Sequence, residues 1–181
     1  MATAADRPIR VFIAEDNSAD VYLIEMALQQ HGLNFHLLQT KDGEEALRSV
    51  IAFQQEDCPD IALLDQNLPR HDGDAVLAAI RQHEHCGRIP IIMMSSSESR
   101  KEIEAALRHG AIFFRKAADL NEFMALGALV KDLCHTNENE ARASGPPSLP
   151  LTKSPQPLYP STPQPQATPA PKETPAKPRR P

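Results

Sequence analysis

No stretch of this 181-residue chain is long and apolar enough to span a membrane, and its start, MATAADRPIR, lacks the apolar core of a secretory signal. These absences predict a protein that stays in the cytoplasm and does not engage a membrane. Cysteine is scarce. Cys58, Cys86 and Cys134 are scattered and odd in number, which predicts reduced thiols rather than a disulfide framework. The run HEHC (His83 to Cys86) holds ligand-type residues but stands alone, and zinc spacing needs two separated pairs, so it reads as a polar helix end. Positive charge is short as well. The tail from Ser144 carries a net +4 in a chain of −5, which leaves −9 for the rest. An acidic domain with a weakly basic tail argues against nucleic acid as a partner, and the final KPRRP reads as a solubilising end. Proline is nearly absent before residue 137, where only Pro8, Pro59, Pro69 and Pro90 occur, and the other 13 of the 17 follow. Prolines at that density remove backbone donors and block helix and sheet ladders, so residues 137–181 are predicted to be a disordered or polyproline II tail. Such a tail would serve as a tether or a partner-binding segment. The folded part is then one domain, residues 7–136, and the 41% hydrophobic content suffices for one core.

Within that domain, short apolar runs alternate with helical patterns. IRVFIA (Ile9 to Ala14) reads as a strand, followed by a helix with Val21, Ile24, Ala27 and Leu28 on one face, capped by Asn17-Ser18 and stopped by Gly32. FHLLQT (Phe35 to Thr40) is a second strand. Asp42-Gly43 turns the chain into a helix bearing Ala46, Leu47 and Val50. IALLD (Ile61 to Asp65) is the third strand, and Val76, Leu77 and Ile80 mark the helix after it; Asp72, beside Gly73, reads as a turn former or cap. Pro90 opens IIMMS (Ile91 to Ser95), and a helix with Ile103, Ala106 and Leu107 closes at Gly110. IFF (Ile112 to Phe114) is a short fifth strand, and Leu120 to Leu133 is the last helix, its pattern ending near Cys134. Several strands are apolar at consecutive positions, as expected when helices cover both faces of a sheet. The class is α/β with a parallel sheet.

A parallel sheet of this kind presents its functional groups at the carboxyl ends of its strands, and right-handed crossovers bring all those ends to one edge. The first strand ends in Glu15 and Asp16, the third in Asp65, the fourth in Ser95, and Lys116 follows the fifth. Three carboxylates in one small volume repel one another and are costly to bury. A divalent cation resolves the conflict, and oxygen-only ligands in a shallow, solvent-reached site favour Mg²⁺. Mg²⁺, a lysine and a hydroxyl around one aspartate are what phosphoryl transfer to a carboxylate requires, with Asp65 as nucleophile.

These residues lie in AEDN (Ala14 to Asn17), LLDQNLPRHDG (Leu63 to Gly73), PIIMMSS (Pro90 to Ser96) and GAIFFRKA (Gly110 to Ala117). Over about 130 residues the chain resembles the receiver domain of two-component response regulators. Each motif alone is weak, but all of them in order, each at the end of the right kind of strand, make a strong match. The resemblance implies a (βα)5 doubly wound sheet of flavodoxin-like strand order 2-1-3-4-5. It also implies that Asp65 becomes an aspartyl phosphate in phosphorelay signal transduction, receiving the phosphoryl group from a sensor histidine kinase or a histidine phosphotransfer protein. Asp16 and Asp65 would bind Mg²⁺ directly, Glu15 mainly through water, and Asn67 through its backbone carbonyl. Lys116 would hold the phosphoryl group and Ser95 would hydrogen-bond it, while Phe113 would be the aromatic that changes rotamer on activation. No output domain follows in this chain, which predicts a stand-alone receiver acting on an unnamed protein target, with a homodimer left open. It is not an enzyme beyond catalysing its own phosphorylation and dephosphorylation.

Two departures bear on this reading. Ser96 replaces a small apolar residue, and Ala117 stands where receivers carry a proline after the lysine, in a bond that is usually cis. For an ordinary residue the cis form costs about 2.5–4 kcal/mol, so the Lys116–Ala117 bond is expected to be trans, with slower phosphoryl transfer than proline would allow. Two alternatives are a receiver-shaped binding module that does not cycle phosphate, and a Mg²⁺-dependent phosphatase with an aspartyl nucleophile. The phosphatases of haloacid-dehalogenase type place a general-acid Asp two positions after the nucleophile, where this chain has Asn67.

Overall fold

The computed structural model describes residues 7–97 and 99–143, with side chains described up to residue 136. Five strands alternate with five helices: β1 (Ile9–Ala14), α1 (Ser18–Gln30), β2 (Phe35–Thr40), α2 (Gly43–Ala52), β3 (Ile61–Asp65), α3 (Gly73–Gln82), β4 (Ile91–Ser95), α4 (Arg100–Arg108), β5 (Ile112–Arg115) and α5 (Leu120–Ala143). A 3-10 turn at Gln55–Asp57 leads from α2 towards β3. The sheet is parallel throughout, in the order β2-β1-β3-β4-β5, as the resemblance implied.

The strand sequences explain the layering. Successive side chains on a strand point to opposite faces, and β1 divides accordingly. Phe12 and Ala14 join Ala46, Val50, Val76, Leu77, Ile80 and Ala106 from α2, α3 and α4 on one face. Val11 and Ile13 join Ile24, Leu28, Phe123, Leu126 and Val130 from α1 and α5 on the other. Because both faces are covered, all five residues of β3 and of β4 are buried. The helix boundaries follow local chemistry. The Asn17 side chain accepts from the Ala19 backbone N–H at the start of α1, and Asp72 occupies the N-cap position of α3 without making a side-chain cap bond. Gly32 and Gly110, the expected helix stops, adopt φ of +68° and +66°, a region that costs glycine nothing and other residues a steric clash.

Two expectations are overturned here. The last helix runs to Ala143 rather than ending near Cys134. Its apolar period fades after Leu133, but Cys134 to Ala143 contains neither proline nor glycine and is rich in good helix formers, so the backbone continues. The remainder of the expected tail, residues 144–181, lies outside the described residues. The cysteines, in turn, are not all reduced. Cys58 and Cys86 form a disulfide with a Cα–Cα distance of 5.5 Å, and Cys134 is buried outside it. The bond became available because β3 and β4 are neighbours in the sheet. Cys58 lies three residues before the start of β3 and Cys86 in the loop leading into β4, so topology brings together residues that sequence separation hid. HEHC therefore does not stand alone, and the thiol argument for a cytoplasmic location loses two of its three residues. Among the described residues, no helix is long and apolar enough to cross a membrane.

Candidate functional site

The site lies at the carboxyl edge of the sheet. β1 ends at Ala14, which places the Glu15 side chain fully inside and leaves Asp16 exposed. β3 ends at Asp65 itself, which is buried. Gly73 lets α3 begin directly beneath this strand end: a Cβ there would meet the Asp65 backbone oxygen at 2.2 Å, closer than any side chain tolerates, and its N–H donates to the Gln66 carbonyl at 3.0 Å. Carboxylate oxygens of Glu15, Asp16 and Asp65 come within 4.8 Å of one another, so the expected acidic cluster is assembled.

Lys116 completes it. Its backbone N–H donates to the Ser95 carbonyl, continuing the pairing of β4 with β5 one residue past the strand. Its ammonium lies 2.6 Å from Glu15 Oε2, 2.9 Å from Asp20 Oδ2 and 3.0 Å from Asp65 Oδ1. Burial works against the charged lysine, but the hydrogen bonds to Glu15 and Asp20, with the charges of Asp65 and Glu15, outweigh it and raise its pKa. The Glu15 carboxyl is also raised. Burial is the main cause and the Asp65 charge adds to it, while the Lys116 hydrogen bond and charge and the Asn17 N–H pull it back. The Lys116–Ala117 peptide bond is trans, as the energetic argument predicted.

The remaining expected residues divide into two groups. Asn67 is exposed and lines a cavity of about 380 Å³ together with Asp20, Asp65, Ser96, Lys116 and Ala117. Ser95 is fully buried at the end of β4; its hydroxyl donates to Glu102 Oε2 on α4 at 3.0 Å and accepts from the Ser97 N–H at 3.1 Å. The hydroxyl position that faces the cavity is thus Ser96. Phe113 is partly buried against the core on the α2–α4 face, whereas Phe114 packs on the opposite face, edge to face with Phe123 at 6.0 Å.

Two further residues were missed by sequence reasoning. Asp20, in the first turn of α1, reaches Lys116; the available signal was only an acidic residue in the first turn of the helix that follows the Glu15-Asp16 strand end. Glu102, in the first turn of α4, takes the Ser95 hydroxyl, and no motif marked it. The all-oxygen carboxylate set, with an exposed Asn67 beside it and an open cavity, fits a hard cation that keeps some of its waters.

Comparison with known proteins agrees with this geometry. The family model of the response regulator receiver domain matches residues 11–126. Response regulator Rcp1 of Synechocystis sp. is 27% identical over 130 residues, which cover 70% of this chain and 88% of Rcp1. The phosphorylated cyanobacterial phytochrome response regulator RcpA superposes with a TM-score of 0.63 at 27% identity, covering 72% of this chain and 96% of that one. The Mn²⁺-bound form of Rcp1 superposes with a TM-score of 0.57 at 25% identity, covering 69% and 93%. The matched residues contain β2 to β5, all of β1 but its first two residues, and all the residues of the acidic cluster, and the chain belongs to the response regulator receiver domain family.

Proposed function

We propose that Asp65 accepts a phosphoryl group from a phosphohistidine on a sensor histidine kinase or histidine phosphotransfer protein, as a step in cytoplasmic phosphorelay signalling. The receiver unit in this reading is residues 7–136, and 137–181 serve as a tether. The observation that carries the proposal is the Lys116 ammonium 3.0 Å from Asp65 Oδ1 at the wall of an open cavity. An Asp65 carboxylate oxygen attacks phosphorus, the phosphorus–nitrogen bond to the donor imidazole breaks, and that imidazole keeps the electron pair and is protonated. Lys116 then neutralises charge gathering on the phosphoryl oxygens, acting as a point cation on a flexible stem.

Glu15, Asp16, Asp65 and the Asn67 carbonyl would hold Mg²⁺, whose chemistry is to neutralise the carboxylates and the incoming phosphoryl oxygens. The Ser96 side of the cavity offers a hydroxyl to the product, and Ser95 does so once it leaves Glu102. Phe113 is the aromatic whose rotamer would follow. The unit acts as a phosphoacceptor rather than an enzyme with a turnover of its own.

Intact mass after incubation with Mg²⁺ and a small phosphodonor tests the reading. Gain of one labile phosphoryl group by the native chain, absent in Asp65→Asn, is the expected result. No gain in the native chain would favour the receiver-shaped binding module, for which the engagement of Lys116 by Asp20 is the supporting observation.

A further inference from the structure

At the opposite edge of the sheet, where β3 and β4 begin, three ligand-type side chains meet away from the phosphoryl site. The Sγ atoms of Cys58 and Cys86 and a ring nitrogen of His83 come within 4.8 Å of one another, with Cys86 buried and the other two half-buried. We propose that this cluster has two exclusive states: a disulfide when oxidised and, when reduced, a site for a thiophilic divalent cation such as Zn²⁺.

The loop after α3 is shaped to keep its two ligands in place without the sulfur–sulfur bond. The Arg81 guanidinium donates to the carbonyls of Gly87 and Ile89 from within that loop, and to those of His109 and Gly110 beyond it. Gly87 N–H returns to the His83 carbonyl at 3.0 Å, and Ile89 N–H to the Cys86 carbonyl at 3.2 Å. His83 Nδ1 accepts from the backbone N–H groups of His85 and Cys86, both at 3.2 Å. These bonds turn the imidazole towards the loop that carries Cys86, and a cation bound at Nδ1 would displace the two backbone donors from it. Cys58 comes from the other side, between the 3-10 turn and Pro59, just after the Glu56 and Asp57 carbonyls that the Arg10 guanidinium holds.

Zinc–sulfur and zinc–nitrogen bonds of about 2.3 and 2.0 Å place neighbouring ligands of a tetrahedron roughly 3.5–3.8 Å apart. The ligand atoms already lie within 4.8 Å of one another, so reduction would leave the two sulfurs only to part to that separation. Two thiolates and one imidazole form a soft, three-ligand set, and the half-exposure of Cys58 and His83 leaves the fourth position to water. The chemistry balances in two steps. A dithiol reductant donates two electrons and two protons to the Cys58–Cys86 bond and is itself oxidised to a disulfide. Zn²⁺ then displaces one proton from each thiol to solvent. The carboxylate site at the other edge has no sulfur or nitrogen ligand and suits hard cations, so the two sites differ in the metal they select.

Co²⁺ titration of the full-length reduced chain, after anaerobic removal of the reductant, reads the proposed site directly. Expected is one equivalent of Co²⁺ with a thiolate-to-cobalt charge-transfer band and the strong visible absorption of a tetrahedral site. The oxidised chain, Cys58→Ser and Cys86→Ser should show no such band. His83→Ala should bind at least tenfold more weakly with a shifted visible spectrum, and Asp65→Asn and Cys134→Ser should match the native chain. If the serine variants do not fold, as read by circular dichroism, His83→Ala and Cys134→Ser still decide the matter, because neither alters the disulfide. Absence of the charge-transfer band in the reduced, folded native chain would overturn the proposal. So would a spectrum indifferent to His83→Ala, or one lost in Asp65→Asn.

Discussion

The two edges of this sheet are built on opposite principles. At the carboxyl edge, like charges are forced together: Glu15 is buried with its pKa raised, and one ammonium is shared among Glu15, Asp20 and Asp65. At the amino edge, unlike groups are paired. Asp60 receives the Arg10 backbone N–H and the Arg7 guanidinium, the Arg10 guanidinium reaches the Glu56 and Asp57 carbonyls, Arg81 binds four carbonyls, and a disulfide ties the approaches to β3 and β4 together. The difference teaches where stability is placed. On the proposed function, a site that is to take a doubly charged cation and a phosphoryl group must be electrostatically incomplete without them, and the firmly held opposite edge lets the sheet tolerate that incompleteness.

The largest expected effect of breaking this division is reduction of the disulfide. The cysteines are 28 residues apart, and the loop-entropy relation for a loop of that size gives about 3.5 kcal/mol. Urea unfolding with and without a dithiol should differ by that order if no metal is present, while the Mg²⁺-dependent increment in stability stays unchanged. A change in the Mg²⁺ increment on reduction would mean that the edges are not independent.

Arg81→Met comes next. The substitution keeps much of the apolar stem but removes the guanidinium from four carbonyls. Hydrogen bonds to a charged group are worth about 1.5–3 kcal/mol each where water cannot replace them. Part of this surface is open to water, so a loss of about 2 kcal/mol overall is expected in the same unfolding experiment. Phosphoryl uptake at Asp65 should be retained. An unchanged midpoint would show that solvent replaces Arg81 without cost.

The smallest effect concerns the metal. Mg²⁺ at tenfold excess over its dissociation constant should stabilise the fold by about 1.4 kcal/mol, by mass action. Asp16→Asn should remove that increment, because the exposed Asp16 carboxylate is one of three that share the volume. Thermal melts that coincide with and without Mg²⁺ would show that the acidic cluster is no cation site.

How much of this could be read from the chain alone depended on how local the cause was. Glu15, Asp65, Ser95 and Lys116 were legible because each stands at the end of an apolar strand, and parallel topology sends every such end to one edge. Asp20 was not, because it enters the cluster from inside a helix, where an acidic residue ordinarily means solvent or dipole chemistry. Ser95 stands at the end of β4, as expected, but its hydroxyl partner Glu102 comes from the next helix, and only packing decides which way a hydroxyl rotates. Ser96, read as a mild departure, turned out to line the cavity. The Cys58–Cys86 bond required knowing that β3 and β4 are neighbours, a long-range fact that cysteine counting does not contain. The end of α5 was misjudged because apolar periodicity reports the buried face of a helix, while the backbone continues wherever propensity allows.

In the proposed function, the crowded edge exists to make Asp65 a phosphoryl acceptor. Peptide mapping after phosphodonor treatment tests it most directly, because borohydride converts an aspartyl phosphate to homoserine and so marks the acceptor covalently. The account predicts homoserine at position 65 in the native chain treated with donor and Mg²⁺, and none when Mg²⁺ is withheld. Homoserine at Asp16 or Asp20, or no conversion at any aspartate despite a folded protein, would contradict it.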